Sequence, residues 1–136
     1  KGRTYKYFKG DVLYPFGYGL SYSSFKYSDL QVKDGAGEVT VSFLLKNTGK
    51  RNGDEVAQVY VRIPETGGIV PLKELKGFRR VPLKSGESRR VEIKLSKEQL
   101  RYWDVEKGQF VVPKGAFDIM VGASSKDIRL QTVIDL

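Results

Sequence analysis

The chain has 136 residues, a formal net charge of +8 from 24 lysines and arginines against 16 aspartates and glutamates, and neither cysteine nor histidine. That length suits one domain with a core of its own. The missing residue types exclude disulfides, thiolate chemistry, a histidine general base and any Ser-His or Cys-His nucleophile pair, so carboxylates, lysines and tyrosines are the whole catalytic inventory.

The basic residues are scattered, with short doublets at Lys50-Arg51, Arg79-Arg80 and Arg89-Arg90 and no run of five like charges. They read as a solvated surface rather than a nucleic-acid footprint. No apolar run reaches membrane-spanning length and nothing resembles a signal peptide, so neither nucleic acid nor a membrane is an expected partner. The one methionine is Met120 and the chain opens in mid-stride on Lys1-Gly2-Arg3-Thr4, which reads as a piece of a longer polypeptide. The compartment of the fragment is not legible, and a secreted or periplasmic parent is compatible with it.

Residues 1–24 read as an irregular N-terminal arm. Arg3-Thr4-Tyr5-Lys6-Tyr7-Phe8 suits a short extended segment, and Lys9-Gly10-Asp11 is a turn signal. The segment Tyr14-Pro15-Phe16-Gly17-Tyr18-Gly19-Leu20-Ser21-Tyr22 then packs four aromatics and two glycines into nine residues. Pro15 fixes its own φ and biases Tyr14 toward extended backbone, while Gly17 and Gly19 let another surface approach closely. A stiff aromatic segment of this kind either plugs its own domain or meets a neighbour, and aromatics are favoured anchors of buried interfaces. The candidate interface is therefore Tyr14, Phe16, Gly17, Tyr18, Gly19, Leu20 and Tyr22.

From residue 25 to 136 the pattern is that of strands. Phe25-Lys26-Tyr27 with Leu30 and Val32 begins the first, and Asp34-Gly35-Ala36-Gly37 breaks it. Val39, Val41, Phe43 and Leu45 alternate with Thr40, Ser42, Leu44 and Lys46, the period of a half-buried strand. A turn-rich connection over Asn47-Thr48-Gly49-Lys50-Arg51-Asn52-Gly53-Asp54 leads to a second alternating run through Ala57, Val59, Val61 and Ile63. Pro64 ends that run and Gly67-Gly68 opens a loop. Leu72 to Leu83 is less regular, and Gly77 in it suggests a bulge or a close backbone approach. Val91, Ile93 and Leu95 mark a further strand.

Ser96-Lys97-Glu98-Gln99 has the spacing of a capping box and predicts one or two helical turns running through Tyr102-Trp103. Lys107-Gly108 and Pro113-Lys114-Gly115 flank a short Phe110-Val111-Val112 run. Phe117, Ile119 and Val121, then Ile128, Leu130 and Thr132, close the set. About seven short strands with evenly spaced turns predict an all-β fold, an antiparallel fibronectin type III-like or immunoglobulin-like β-sandwich.

Chemistry is sparse. Asp54-Glu55 is the only adjacent carboxylate pair, and neighbours on a strand face opposite ways, so the two do not suit work on one bond. A calcium site in the loop from Asn47 to Asp54 competes with a plain polar turn. Tyr102 and Trp103 near Phe110 could form a sugar-stacking platform, although packing over a sheet edge is the preferred reading. No catalytic residue, cofactor or metal site is expected from this inventory.

The ordered series Gly2-Arg3-Thr4-Tyr5, Leu13 through Tyr22, Asn47-Thr48-Gly49, Gly53-Asp54-Glu55-Val56, Leu72-Lys73-Glu74-Leu75-Lys76-Gly77-Phe78 and Gly115-Ala116-Phe117-Asp118-Ile119-Met120-Val121-Gly122-Ala123-Ser124-Ser125 resembles the C-terminal fibronectin type III-like domain of family 3 glycoside hydrolases, the β-glucosidases and β-xylosidases. The resemblance covers essentially the whole chain. It implies a parent whose N-terminal barrel supplies an aspartate nucleophile and whose second α/β domain commonly supplies the acid/base carboxylate, working by the retaining route. Neither domain is in this chain, so no catalytic residue carries over. The resemblance makes Lys1 to Tyr22 the connection leaving the second domain, and the parent's catalytic domains the expected partner. An independent carbohydrate-binding module with weak polysaccharide contact is the alternative. Glucoside or xyloside specificity is not legible, with Gly2-Arg3-Thr4-Tyr5 leaning toward xylosides.

Overall fold

The computed structural model describes residues 24–65, 68 and 71–136. Nine strands are found among them. Strands β1 (Phe25–Asp34), β2 (Glu38–Asn47) and β5 (Ser88–Ser96) form a three-stranded antiparallel sheet in the order β1-β2-β5. Strands β3 (Gly53–Arg62), β4 (Glu74–Leu83), β8 (Ala116–Ser124) and β9 (Asp127–Asp135) form a four-stranded antiparallel sheet in the order β4-β3-β8-β9. The remaining two, β6 (Tyr102–Asp104) and β7 (Gln109–Val111), pair only with each other.

The period of two in the sequence becomes the inside and outside of this sandwich. Val39, Val41, Phe43 and Leu45 of β2, Val91, Ile93 and Leu95 of β5, Ala57, Val59 and Val61 of β3, and Phe117, Ile119 and Val121 of β8 are all buried in one cluster. Their neighbours along β2, β3 and β5 are half-buried or exposed, as in an antiparallel sheet with one wet face, whereas Met120 between Ile119 and Val121 of β8 is buried too. Tyr27 of β1 stacks on Phe43 with ring centroids 5.6 Å apart.

Two departures from regular pairing have local causes. In β1 the register slips between Ser28 and Gln31, where Asp29 adopts a φ of 55°. Aspartate tolerates that left-handed region better than most residues. Arg90 of β5 reaches over the outer face to hold the bulge, donating to the Asp29 carbonyl and carboxylate. In β4 the slip falls opposite the step from Val59 to Tyr60, beside Gly77. A Cβ at Gly77 would stand 2.9 Å from both Ile93 Cγ2 and Leu95 Cδ2, so the close approach expected there is found.

Asn47 is the one buried polar side chain in the described core. Its amide nitrogen donates to the Arg51 and Leu83 carbonyls at 2.9 and 3.1 Å, and its oxygen accepts from Gly49 N at 2.8 Å. The sandwich is also stitched along both open sides. Arg129 of β9 donates to the Phe25 carbonyl of β1 at 2.8 Å, and Arg79 of β4 donates to the Glu92 carbonyl of β5 at 3.1 Å.

The expected helix is shorter than its capping box promised. Gln99 Oε1 does accept from Ser96 N at 2.9 Å, but only Lys97–Leu100 is helical, as one 3₁₀ turn. Leu100 is drawn into the core, and Tyr102 and Trp103 leave it to pair with Val111 and Phe110 across a tight turn. That hairpin accounts for the two strands beyond the expected seven.

Phe43 has no exposed surface and is packed by both sheets, so Phe43→Ala is expected to cost about 3–5 kcal/mol in urea denaturation. A loss below about 1 kcal/mol would mean that the site collapses around the smaller side chain.

Candidate docking surface

The interface residues chosen from the sequence, Tyr14, Phe16, Gly17, Tyr18, Gly19, Leu20 and Tyr22, lie outside the described residues. Other candidate positions fall within them. Asp54 and Glu55 are separated by the pleat of β3. Asp54 pairs with the exposed Arg80 of β4, while the Glu55 carboxylate accepts from the Tyr27 hydroxyl at 2.8 Å and so bridges the two sheets. The pair therefore serves two different contacts, as the strand period required. In the neighbouring loop, Asn47 is spent on the backbone as above, and Asn52 Oδ1 accepts from Ser85 N at 2.9 Å. Among the described residues no three acidic, cysteine or histidine side chains lie together as a metal cage.

Among the described residues the Tyr27–Glu55 bridge brings together two groups whose ionisation is shifted by burial. Burial raises the Glu55 pKa above the ordinary carboxylate value, against the opposing effects of the Tyr27 hydrogen bond and the Arg129 charge. Burial raises the Tyr27 phenol further, and the Glu55 charge adds to it. Arg129 lies 5.3 Å over the Tyr27 ring and is held by Asp127, whose hydrogen bond raises its pKa.

Exposed apolar side chains gather in two places. On the outer face of the four-stranded sheet, Phe78 of β4 stands opposite Gln58 and diagonal to Val56 of β3, Leu75 stands opposite Tyr60, and Val133 of β9 lies farther along that face. On the β6–β7 hairpin, Trp103 and Phe110 face each other across the strands with centroids 5.0 Å apart and planes at 77°. Both are more than half exposed, at 52% and 53%. Tyr102 beside them is half-buried, and neither hairpin strand pairs with a main sheet. The Arg101 guanidinium sits 4.5 Å over the Phe110 ring, and Asp104 Oδ1 ties down the turn by accepting from Glu106 N and Lys107 N. The sequence marks Tyr102, Trp103 and Phe110 as a possible ring platform, but three-residue strands are too short to display the period that would reveal the hairpin.

Three kinds of likeness bear on this arrangement. A fibronectin type III-like domain model matches residues 55–125. Over 98% of its length the chain is 42% identical to part of a xylan 1,4-beta-xylosidase from Xylanibacter ruminicola, of which it covers 16%. Among solved structures, beta-glucosidase 3B from Thermotoga neapolitana superposes with a TM-score of 0.83 at 38% identity, over 98% of this chain and 19% of that one. The beta-D-glucoside glucohydrolase of Trichoderma reesei gives 0.80 at 37% identity, over 90% and 20%. The chain thus spans a fifth or less of each of these relatives.

Because the folded Glu55 carboxyl has a raised pKa, its charge opposes folding, and that cost appears as pH rises through the raised value. Glu55→Gln keeps an acceptor for Tyr27 without the charge. It is expected to raise the melting temperature at neutral pH, with the gain fading in acid, where Glu55 is protonated in both states. Thermal denaturation of both chains over that range measures it, and a gain that persists in acid would locate the effect elsewhere.

Proposed function

The chain belongs to the fibronectin type III-like domain family, and from that premise we propose that it is the non-catalytic C-terminal domain of a family 3 β-glycosidase, bracing the catalytic domains of the same polypeptide. The observation that carries this reading is the lopsided coverage, nearly all of this chain against 16–20% of relatives named for hydrolysing xylosides or glucosides. One domain that keeps about 40% identity across enzymes named for different sugars is suited to a task common to them. Choice of sugar is not such a task.

The residue inventory agrees. A retaining glycosidase needs two carboxyl groups about 5 Å apart across one bond. Here Asp54 is engaged by Arg80 and Glu55 by Tyr27. In this reading residues 1–24 are the arm that enters from the parent's second domain, and Tyr14, Phe16, Gly17, Tyr18, Gly19, Leu20 and Tyr22 belong to the surface it buries there. Large rings beside glycines give much apolar contact at low entropy cost.

A second reading, an independent carbohydrate-binding module, draws support from the exposure of Trp103 and Phe110. Calorimetry with soluble glucans and xylans separates the two, since a bracing domain binds neither.

The isolated chain is expected to turn over neither aryl β-glucosides nor aryl β-xylosides from acidic to neutral pH. Turnover that co-purifies with it would overturn the non-catalytic assignment. In the parent enzyme, Phe16→Ala or Tyr18→Ala should lower melting temperature and activity together while leaving the 136-residue chain little changed. Equal damage to both proteins would put the arm inside the sandwich.

A further inference from the structure

We propose that the β6–β7 hairpin is a docking knob, seated in an apolar recess of the catalytic part of the same polypeptide with an oxygen acceptor placed for Arg101. This inference rests on the bracing role and assigns a surface to it. Four observations lead to the hairpin. It belongs to neither sheet, so its apolar groups do not serve the core. Trp103 and Phe110 are half exposed, Val105 is 81% exposed and Val112 40%, so four apolar side chains of one short segment face solvent. The tip is held in shape by the ring pair, by Arg101 over Phe110 and by Asp104 closing the turn, so little order has to be gained on binding. Arg101 forms no ion pair among the described residues, so its cation is available to a partner. Tryptophan and arginine are among the residues most enriched in interface hot spots.

The partner is protein rather than glycan for geometric reasons. Sugar rings stack on flat faces and need convergent polar groups for their hydroxyls. At 77° the two rings share no plane, Arg101 already covers one face of Phe110, and Asp104 Oδ1 is engaged by its own turn. Val105 and Val112 add aliphatic area that suits an apolar protein surface. The occupant is the parent because the relatives are five or more times longer than the stretch this chain matches, and a body fused to the domain reaches it at high effective concentration.

Hydrogen exchange of the 101–112 segment, compared between the 136-residue chain and the parent enzyme, tests the proposal. Exchange should slow at least about tenfold in the parent. The double variant Trp103→Ala, Phe110→Ala should lower the parent's melting temperature and activity while shifting the 136-residue chain by no more than surface substitutions do. Equal exchange in both proteins, or equal loss of stability in both, overturns the assignment. Trp103 is the only tryptophan in the chain, so its fluorescence during titration with soluble xylan or β-glucan reads the competing outcome directly. A saturable shift there would make the hairpin a glycan site. Deleting the whole domain from the parent separates the two levels: an undamaged enzyme ends the bracing reading, whereas a damaged one with an unprotected hairpin ends only this assignment.

Discussion

Tyr27 lies flat on Phe43 and passes its hydroxyl to Glu55 in the opposite sheet, at the rim of an interior that is otherwise aliphatic and aromatic. With no cysteine in the chain, closure of the two inner faces over that interior is what holds the domain together. The other features answer to it. Gly77 is bare so that Ile93 and Leu95 can reach the four-stranded sheet, Leu100 turns inward to cover an end, and Asn47 satisfies the backbone of the turn that joins the sheets. Glu55 is the cost of a polar contact between layers, a desolvated carboxylate retained because the phenol needs an acceptor.

The strands that build this interior are readable because apolar residues recur at every second position. Val39 to Leu45, Ala57 to Val61, Val91 to Leu95 and Phe117 to Val121 write the inside of the sandwich directly into the alternation of residues. Legibility failed where that period is interrupted or never develops. In β4 the slip beside Gly77 shifts the phase, so Leu75 and Phe78 look like core residues and stand in water. The capping box at Ser96 is genuine, yet it introduces one turn, because the aromatic residues after it gain more from pairing across a hairpin. The Tyr27–Glu55 bridge spans 28 residues of sequence and depends on how two sheets face each other, which no local pattern encodes.

The candidate site shows the same division. The aromatic arm from Tyr14 to Tyr22 is conspicuous in composition, whereas the sequence around Tyr102-Trp103 predicts helical turns where the structure has a hairpin. In the structure β6 and β7 find no third strand, and Trp103 on their hairpin is half exposed. Separation of the hairpin from the core has an energetic counterpart: changes at its tip leave the burial that folds the sandwich untouched. Surface chemistry at the tip and stability of the fold can therefore vary independently.

The arginine stitches along the two sides have a consequence for solubility. Outer strands of a sheet carry unsatisfied amides and carbonyls that can recruit a strand from another molecule and start aggregation. Here the Phe25 carbonyl is taken by Arg129 and the Glu92 carbonyl by Arg79, and each guanidinium brings a permanent positive charge to the rim. A strand adding at either side would have to displace that hydrogen bond and bury the cation. Each of these two margins thus carries one side-chain contact that a docking strand would have to break.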